Sequence, residues 1–95
     1  MTLRDAYLSS SLYTDAELVR ATTDTAPLRQ GERHYDVLVT DRYNAGAWYT
    51  VAAPNMVTAK KIAREFAYRV EQDVNFVGPL SVSAAHRSDE ETDDL

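Results

Sequence analysis

Side chains capable of covalent or acid–base chemistry are few in this chain of 95 residues, and their spacing is not that of an active site. Three consecutive serines at positions 9–11 lack the flanking glycines of a nucleophile turn. His34 and His86 are the two histidines, and strand alternation would place them on opposite faces of a sheet, which disfavours a shared metal site. Asp36 and Asp41 are also expected on opposite faces, so they would not form a carboxylate pair.

Sites for cofactors and metals are also not indicated. Glycine occurs only at Gly31, Gly46 and Gly78, so no glycine-rich loop could hold a phosphate group. The chain has no cysteine, which excludes disulfides, thiolate zinc sites and thiol catalysis. No spacing typical of zinc or of an EF-hand calcium site occurs. We therefore expect a protein that is not an enzyme and that uses neither a metal nor a cofactor.

The net charge of −5 is concentrated at the C-terminus. SDEETDDL, residues 88–95, contains five acidic side chains, and the remaining ten acids equal the ten lysines and arginines. A neutral body has no broad electrostatic surface for nucleic acid or for an anionic membrane. We expect this tail to be disordered, and it would serve either as a solubilising extension or as an electrostatic decoy for a basic partner.

The first residues, MTLRDAYLSS, bear on the cellular compartment. Arg4 and Asp5 lie where a secretory signal would need an apolar stretch, and no apolar run approaches the roughly 20 residues that span a bilayer. We therefore expect a cytoplasmic protein that is not inserted in a membrane.

Hydrophobic periodicity predicts two strands within HYDVLVTDRYNAGAWYTVAAP, residues 34–54. Apolar and polar or small side chains alternate with a period of two on both sides of the polar DRYNAG, which is typical of a hairpin. Asn55 is the expected N-cap of a helix that continues to about Asp73, because its apolar residues fall on one arc of about 120°. LSVSAAH, residues 80–86, predicts a third strand with Leu80, Val82 and Ala84 on one face.

The N-terminal third predicts a helical arm. Thr14 and Glu17 have the spacing of a capping box, so a short helix should run from about Asp15 to Thr22. TTDTAPLRQGE, residues 22–32, is typical of a linker.

The predicted fold is therefore an α+β domain in which the arm precedes a β-β-α-β unit. A right-handed crossover places the strands in the order 2-1-3, with the first strand antiparallel to both neighbours and one long helix on a single face. The expected division is an arm and linker at residues 1–30, a core at 31–87 and the acidic tail at 88–95.

The sheet face opposite the helix is the main candidate for function. Leu38 and Trp48 are more apolar than a solvated face requires, since an exposed tryptophan forgoes roughly 2–3 kcal/mol of burial. Either the N-terminal arm covers this face or a partner does. The apolar residues of the arm are Tyr7, Leu8, Leu12, Leu18 and Val19. The side chains predicted on this face are His34, Asp36, Leu38, Trp48, Thr50, Ser81 and Ser83.

These features favour a small protein-interaction module over an enzyme. We expect an accessory regulator or inhibitor, encoded by a virus or mobile element and acting on a machine directed at nucleic acid. It would bind its target or a second copy of itself through the sheet face or a free strand edge. The partner-binding candidates are large side chains, because such residues often anchor interfaces: Leu38, Tyr43, Trp48, Tyr49 and Tyr68.

The alternative is direct binding of nucleic acid by the exposed face of the long helix. Lys60, Lys61, Arg64 and Arg69 would contact phosphates there. Acidic residues are interleaved with them, and Glu65 is spaced to pair with Lys61 and Arg69, which is typical of an ordinary solvated helix face. A binding site of this kind would lose affinity steeply with added salt.

Overall fold

β1 (Arg33–Thr40) is the central strand of a three-stranded sheet in a computed structural model that describes residues 13–23, 25–72 and 75–88. β2 (Gly46–Ala53) and β3 (Ser81–Arg87) flank it, and both pair with it in antiparallel orientation. Helix α1 (Asp15–Ala21) precedes the sheet, and helix α2 (Met56–Phe66) connects β2 to β3. The predicted α+β fold, with strand order 2-1-3, is confirmed.

The core lies between one face of the sheet, here called the inner face, and helix α2. Alternation sends every second residue of β1 inward, and Tyr35, Val37 and Val39 are all buried. Ile62 and its small helical neighbours pack against them from α2. Small residues on the helix, Ala59 and Ala63, are completely buried, which allows the helix to approach the sheet closely.

Helix α2 begins at its predicted N-cap and changes geometry near its end. The Asn55 side chain caps it by accepting a hydrogen bond of 2.8 Å from the Thr58 N–H. After Phe66 the helix continues as one π-helical turn, Ala67–Glu71, and Gln72 ends it in a left-handed conformation with φ 47°. The predicted end, Asp73, lies outside the described residues, two positions beyond the last helical residue.

Helix α1 packs on the helical side of the sheet. Thr14 and Glu17 form the predicted capping box, and Leu18 is completely buried in the core. Arg69 fixes the start of this helix, because its guanidinium lies 2.9 Å from the Asp15 carboxylate and also donates to the Tyr13 carbonyl. The described part of the arm therefore does not cover the other sheet face, contrary to the first of our two sequence interpretations.

The remainder of that interpretation concerns Tyr7, Leu8 and Leu12, which lie outside the described residues.

The segment that follows α1 is bonded back to this helix. Arg20 donates two hydrogen bonds, of 2.8 and 3.0 Å, to the Glu32 carboxylate. This pairing lowers the pKa of Glu32 and raises that of Arg20. This ion pair thus joins helix α1 to the last residue of the predicted linker.

The hairpin between β1 and β2 is organised by Asp41. Its Oδ1 accepts hydrogen bonds from the N–H groups of Tyr43 (2.8 Å) and Ala45 (2.9 Å), and its Oδ2 accepts one from Val77 (2.9 Å). These amides lower the pKa of Asp41, with the bond from Val77 contributing most. One carboxylate therefore ties the hairpin to the segment that leads into β3.

A β-bulge in β3 changes which side chains share a face. Leu38 lies opposite Ala84 and Val39 lies opposite Val82, which leaves Ser83 as the extra residue. Alternation therefore reverses beyond Ser83, and Ala85 packs against the core. The expectation that Ala84 would share the core face with Leu80 and Val82 is wrong for this reason.

Candidate functional site: the outer face of the sheet

The outer face, opposite helix α2, is centred on Trp48. Trp48 lies on β2 directly across from Leu38 on β1, and its side chain is 53% exposed while Leu38 is half-buried. Its neighbour Tyr49 points the other way and packs edge-to-face on Phe66, with ring centroids 5.5 Å apart. Trp48 is therefore the member of this aromatic pair that points away from the core.

Gly46 makes room for the apolar part of this face. A Cβ at this position would lie 2.9 Å from the Thr40 Cγ2 and 3.1 Å from the Leu38 Cδ1. Contacts this short would require neighbouring side chains to shift. The missing side chain thus lets Leu38 and Thr40 lie over the start of β2, and Leu38 lies directly across from Trp48.

His86 reaches this face because of the bulge. It lies opposite Asp36 on β1, and its ring centroid is 5.5 Å from that of Trp48, with the planes tilted by 50°. The pair therefore spans the central strand from one edge of the sheet to the other. His34 is two residues before Asp36 on the same strand, so both histidines lie on the outer face, and our expectation of opposite faces is wrong.

Sequence reasoning missed His86 and Ala84 as members of this surface. The only available signal was the weak contrast within SVSAAH, where serine and alanine are similar in size and alternation is hard to follow.

Among the described residues, no group of three or more His, Cys, Asp or Glu side chains could hold a metal ion.

The other half of the outer face is polar and internally bonded. Asp36 Oδ1 accepts hydrogen bonds of 2.9 Å from the hydroxyls of Thr50 on β2 and Ser88 after β3. One carboxylate therefore joins all three strands at this end. The face consequently has an apolar half around Trp48 and a rigid polar half around Asp36.

The predicted partner-binding residues do not form one surface. Tyr43, at the tip of the hairpin, is 71% exposed and lies under the Arg42 guanidinium, 5.5 Å from it. Tyr68 packs against the core, and its hydroxyl accepts a hydrogen bond of 2.7 Å from the Leu80 N–H. Tyr49 and Tyr68 therefore lie on the inner side, whereas Leu38 and Trp48 share the outer face.

The predicted basic stripe of α2 is also divided. Lys60 and Lys61 are exposed and Arg64 is half-buried. Arg69 is drawn inward, where it lies 3.2 Å from the buried Glu65 carboxylate in addition to its contacts with the start of α1. Arg69 thus has a structural role, and binding of nucleic acid by the other three remains an untested prediction.

Two further observations bear on function. No helix within residues 13–23, 25–72 and 75–88 is long and apolar enough to cross a membrane. Comparisons with protein-family models, with curated proteins and with solved structures found no match.

Proposed function

We propose that this protein is a small non-enzymatic interaction module that binds another protein chain through the apolar half of its outer sheet face. The observation that carries the proposal is the exposure of Trp48 on the outer face, beside Leu38, which lies between Trp48 and Ala84. A partner could still bury roughly 100 Å² of a half-exposed tryptophan, which corresponds to about 2 kcal/mol of binding free energy. Large aromatic side chains in such positions are the usual anchors of protein interfaces.

The edge of β2 supports the same proposal. Its eight residues, GAWYTVAA, contain no charge and no proline, and they pair with β1 without a bulge. Exposed edge strands usually carry charges, prolines or bulges, because an unprotected edge pairs readily with other chains. β3 at the opposite edge has both a bulge and Arg87. The unprotected edge is thus the one that carries Trp48, which suits a partner that adds an extended strand.

Photocrosslinking in cells of the natural host tests this proposal. A benzophenone amino acid replaces Trp48 in the full chain, and a matched variant carries it at Val57, which is 63% exposed on α2. We expect a discrete protein adduct from position 48 that is absent from position 57. The adduct should weaken when Leu38→Asp is added, because a carboxylate would be desolvated at the interface.

The mass of the adduct identifies the partner as a second copy or a different protein, and either result supports the proposal. Circular dichroism establishes that each variant is folded. Equal crosslinking from positions 48 and 57 would overturn the assignment of this face.

A further inference from the structure

The free edge of β2 directs backbone groups outward at alternate residues. β2 is a terminal strand of the sheet, and no other described strand pairs with its outer edge. The Asp41 N–H donates to the Ala45 carbonyl (2.9 Å), and the Ser88 N–H donates to the His34 carbonyl (3.1 Å). In β1, odd-numbered residues therefore direct their backbone groups to β2 and even-numbered residues direct theirs to β3. The pairing of β1 with β2 then leaves four residues of β2 with N–H and C=O groups on the free edge: Gly46, Trp48, Thr50 and Ala52.

The accessible part of this edge is its first half. Gly46 and Trp48 are exposed and Thr50 is half-buried, whereas residues 51–53 are all buried. At the covered end, Ala52 lies in the wall of a cavity together with Glu32 of the linker. A second strand therefore has access to residues 46–50, where three residues direct backbone groups outward.

The stretch 46–50 is complementary to itself. A two-fold axis beside Trp48 places an antiparallel copy so that Trp48 lies opposite the partner's Trp48 and Gly46 lies opposite the partner's Thr50. Each of these opposed residues then exchanges both backbone hydrogen bonds with the residue across from it. An axis at Tyr49 would instead require pairing by Ala52, which is only 5% exposed. The register centred on Trp48 thus uses the accessible part of the edge.

The side chains of this register are compatible with self-pairing. Residues 46–50, GAWYT, carry no charge, so like charges do not oppose each other across the two-fold axis. The two Trp48 side chains become cross-strand neighbours on the outer face, with Cβ atoms roughly 5.5 Å apart. On the inner side, the small Ala47 lies opposite the partner's Tyr49. Each copy would therefore cover part of the tryptophan that the other leaves exposed.

The area of the contact indicates a reversible dimer. A tryptophan that is 53% exposed offers roughly 130 Å² for burial, so the pair offers roughly 260 Å² in addition to the strand backbones. An interface of five residues from each chain stays below the roughly 1,200 Å² at which stable protein interfaces begin. We therefore expect a dissociation constant in roughly the micromolar range.

We propose that this protein forms a two-fold dimer by antiparallel pairing of the β2 edge, residues 46–50, with the same edge of a second copy. The product is a continuous sheet of six strands, three from each copy. This inference rests on the proposed function, because it names a second copy as the chain that binds beside Trp48. Pairing closes the uncharged edge and the exposed tryptophan in one step.

Disulfide trapping in the full chain tests the register. The chain has no cysteine, so Trp48→Cys introduces a single thiol. In the proposed pairing its two copies lie with Cα atoms about 5.5 Å apart, which is within the range of a disulfide. Thr50→Cys is the matched control, because its two copies are displaced by four residues, more than about 13 Å. We expect a covalent dimer from Trp48→Cys under mild oxidation and little from Thr50→Cys. Equal crosslinking of the two variants, or none from either, would overturn the proposal.

Sedimentation velocity measures the association itself. The average mass of the unmodified chain should rise from one copy toward two between roughly 1 and 500 μM. Thr50→Pro removes an edge N–H without removing a bond to β1, so it should weaken dimerisation by about tenfold or more. Thr50→Val keeps this N–H and lacks only the hydroxyl that donates to Asp36, so it should still dimerise. Circular dichroism establishes that both variants are folded.

Trp48→Lys provides a second disrupting variant that does not alter the backbone, because it places like charges opposite each other in the dimer. Equal dimerisation of Trp48→Lys and the unmodified chain would overturn the proposed pairing. A single copy at every concentration of the unmodified chain would also overturn it. The proposed function would survive that result if the benzophenone at position 48 still gave an adduct with a different protein, so the two failures are distinguishable.

Discussion

The two faces of the sheet differ in how completely they are used. On the inner face, Val37, Val39 and Val51 are completely buried under α2, and Leu18 of α1 closes the same core. On the outer face, Trp48 remains half exposed although it is the largest side chain of the sheet. The fold therefore obtains its stability from one face and leaves the most apolar side chain of the other outside the core.

This difference indicates separate constraints on the two faces. Substitutions on the inner face open cavities in a close-packed core and must lower stability. Substitutions around Trp48 change a surface, so their effect on folding should be small. Among the described residues, the polar bonds of Asp36 hold the outer face rigid without burying its apolar half. A rigid apolar surface that no described segment covers is suited to recognition.

The largest predicted effect tests whether α1 belongs to the inner side. Leu18→Ala should lower the free energy of unfolding by about 3 kcal/mol, because it removes a completely buried side chain. The adjacent Val19 is 45% exposed, so Val19→Ala should change the free energy of unfolding by less than about 0.5 kcal/mol. Urea unfolding followed by circular dichroism measures both. Equal small losses would mean that α1 does not contribute to the core.

The core could be predicted from sequence because burial of one side of each strand and helix makes apolar residues recur at a regular spacing. Tyr35, Val37 and Val39 alternate, and the apolar residues of α2 recur on one arc, so the strands, the helix and the order of the sheet follow from the pattern. The capping box of α1 was predictable for a local reason, since Thr14 and Glu17 are three residues apart. Patterns within a few residues carry this information without any long-range contact.

The features that define the candidate sites could not be predicted in this way. Ser83, Ala84 and Ala85 are all small, so the sequence does not mark where the bulge reverses alternation and brings His86 outward. The packing side of α1 depends on Arg69, which is distant in sequence. Each of these results from tertiary contacts between segments whose local sequence is unremarkable.

The second prediction concerns Asp41, in the hairpin between β1 and β2. Asp41→Asn should lower the Tm at pH 7 by about 5 °C, because neutral amide oxygen accepts hydrogen bonds less strongly than carboxylate. The pKa of Asp41 is lowered in the folded state, so its stabilising contribution is present at neutral pH. That contribution should be lost as the pH falls below about 4 and the carboxyl becomes protonated.

Thermal unfolding between pH 7 and pH 2 measures this effect. The Tm of the unmodified chain should fall toward that of Asp41→Asn as the solution becomes acidic, since both then present a neutral side chain. The matched control is Asn44→Ala in the same hairpin, where no charge is removed. A constant difference in Tm between the unmodified chain and Asp41→Asn across this range would contradict a role for the ionised carboxylate.

The smallest expected effect on stability is also the most informative for the comparison of faces. Trp48→Ala should change the free energy of unfolding by less than about 1 kcal/mol, even though it deletes the largest side chain of the sheet. Val57→Ala, on the exposed side of α2, provides the reference for a surface substitution. A loss of more than about 2 kcal/mol at Trp48 would mean that a single chain already covers this face. The outer face would then be a second core, and Trp48 would have no surface left to offer a partner.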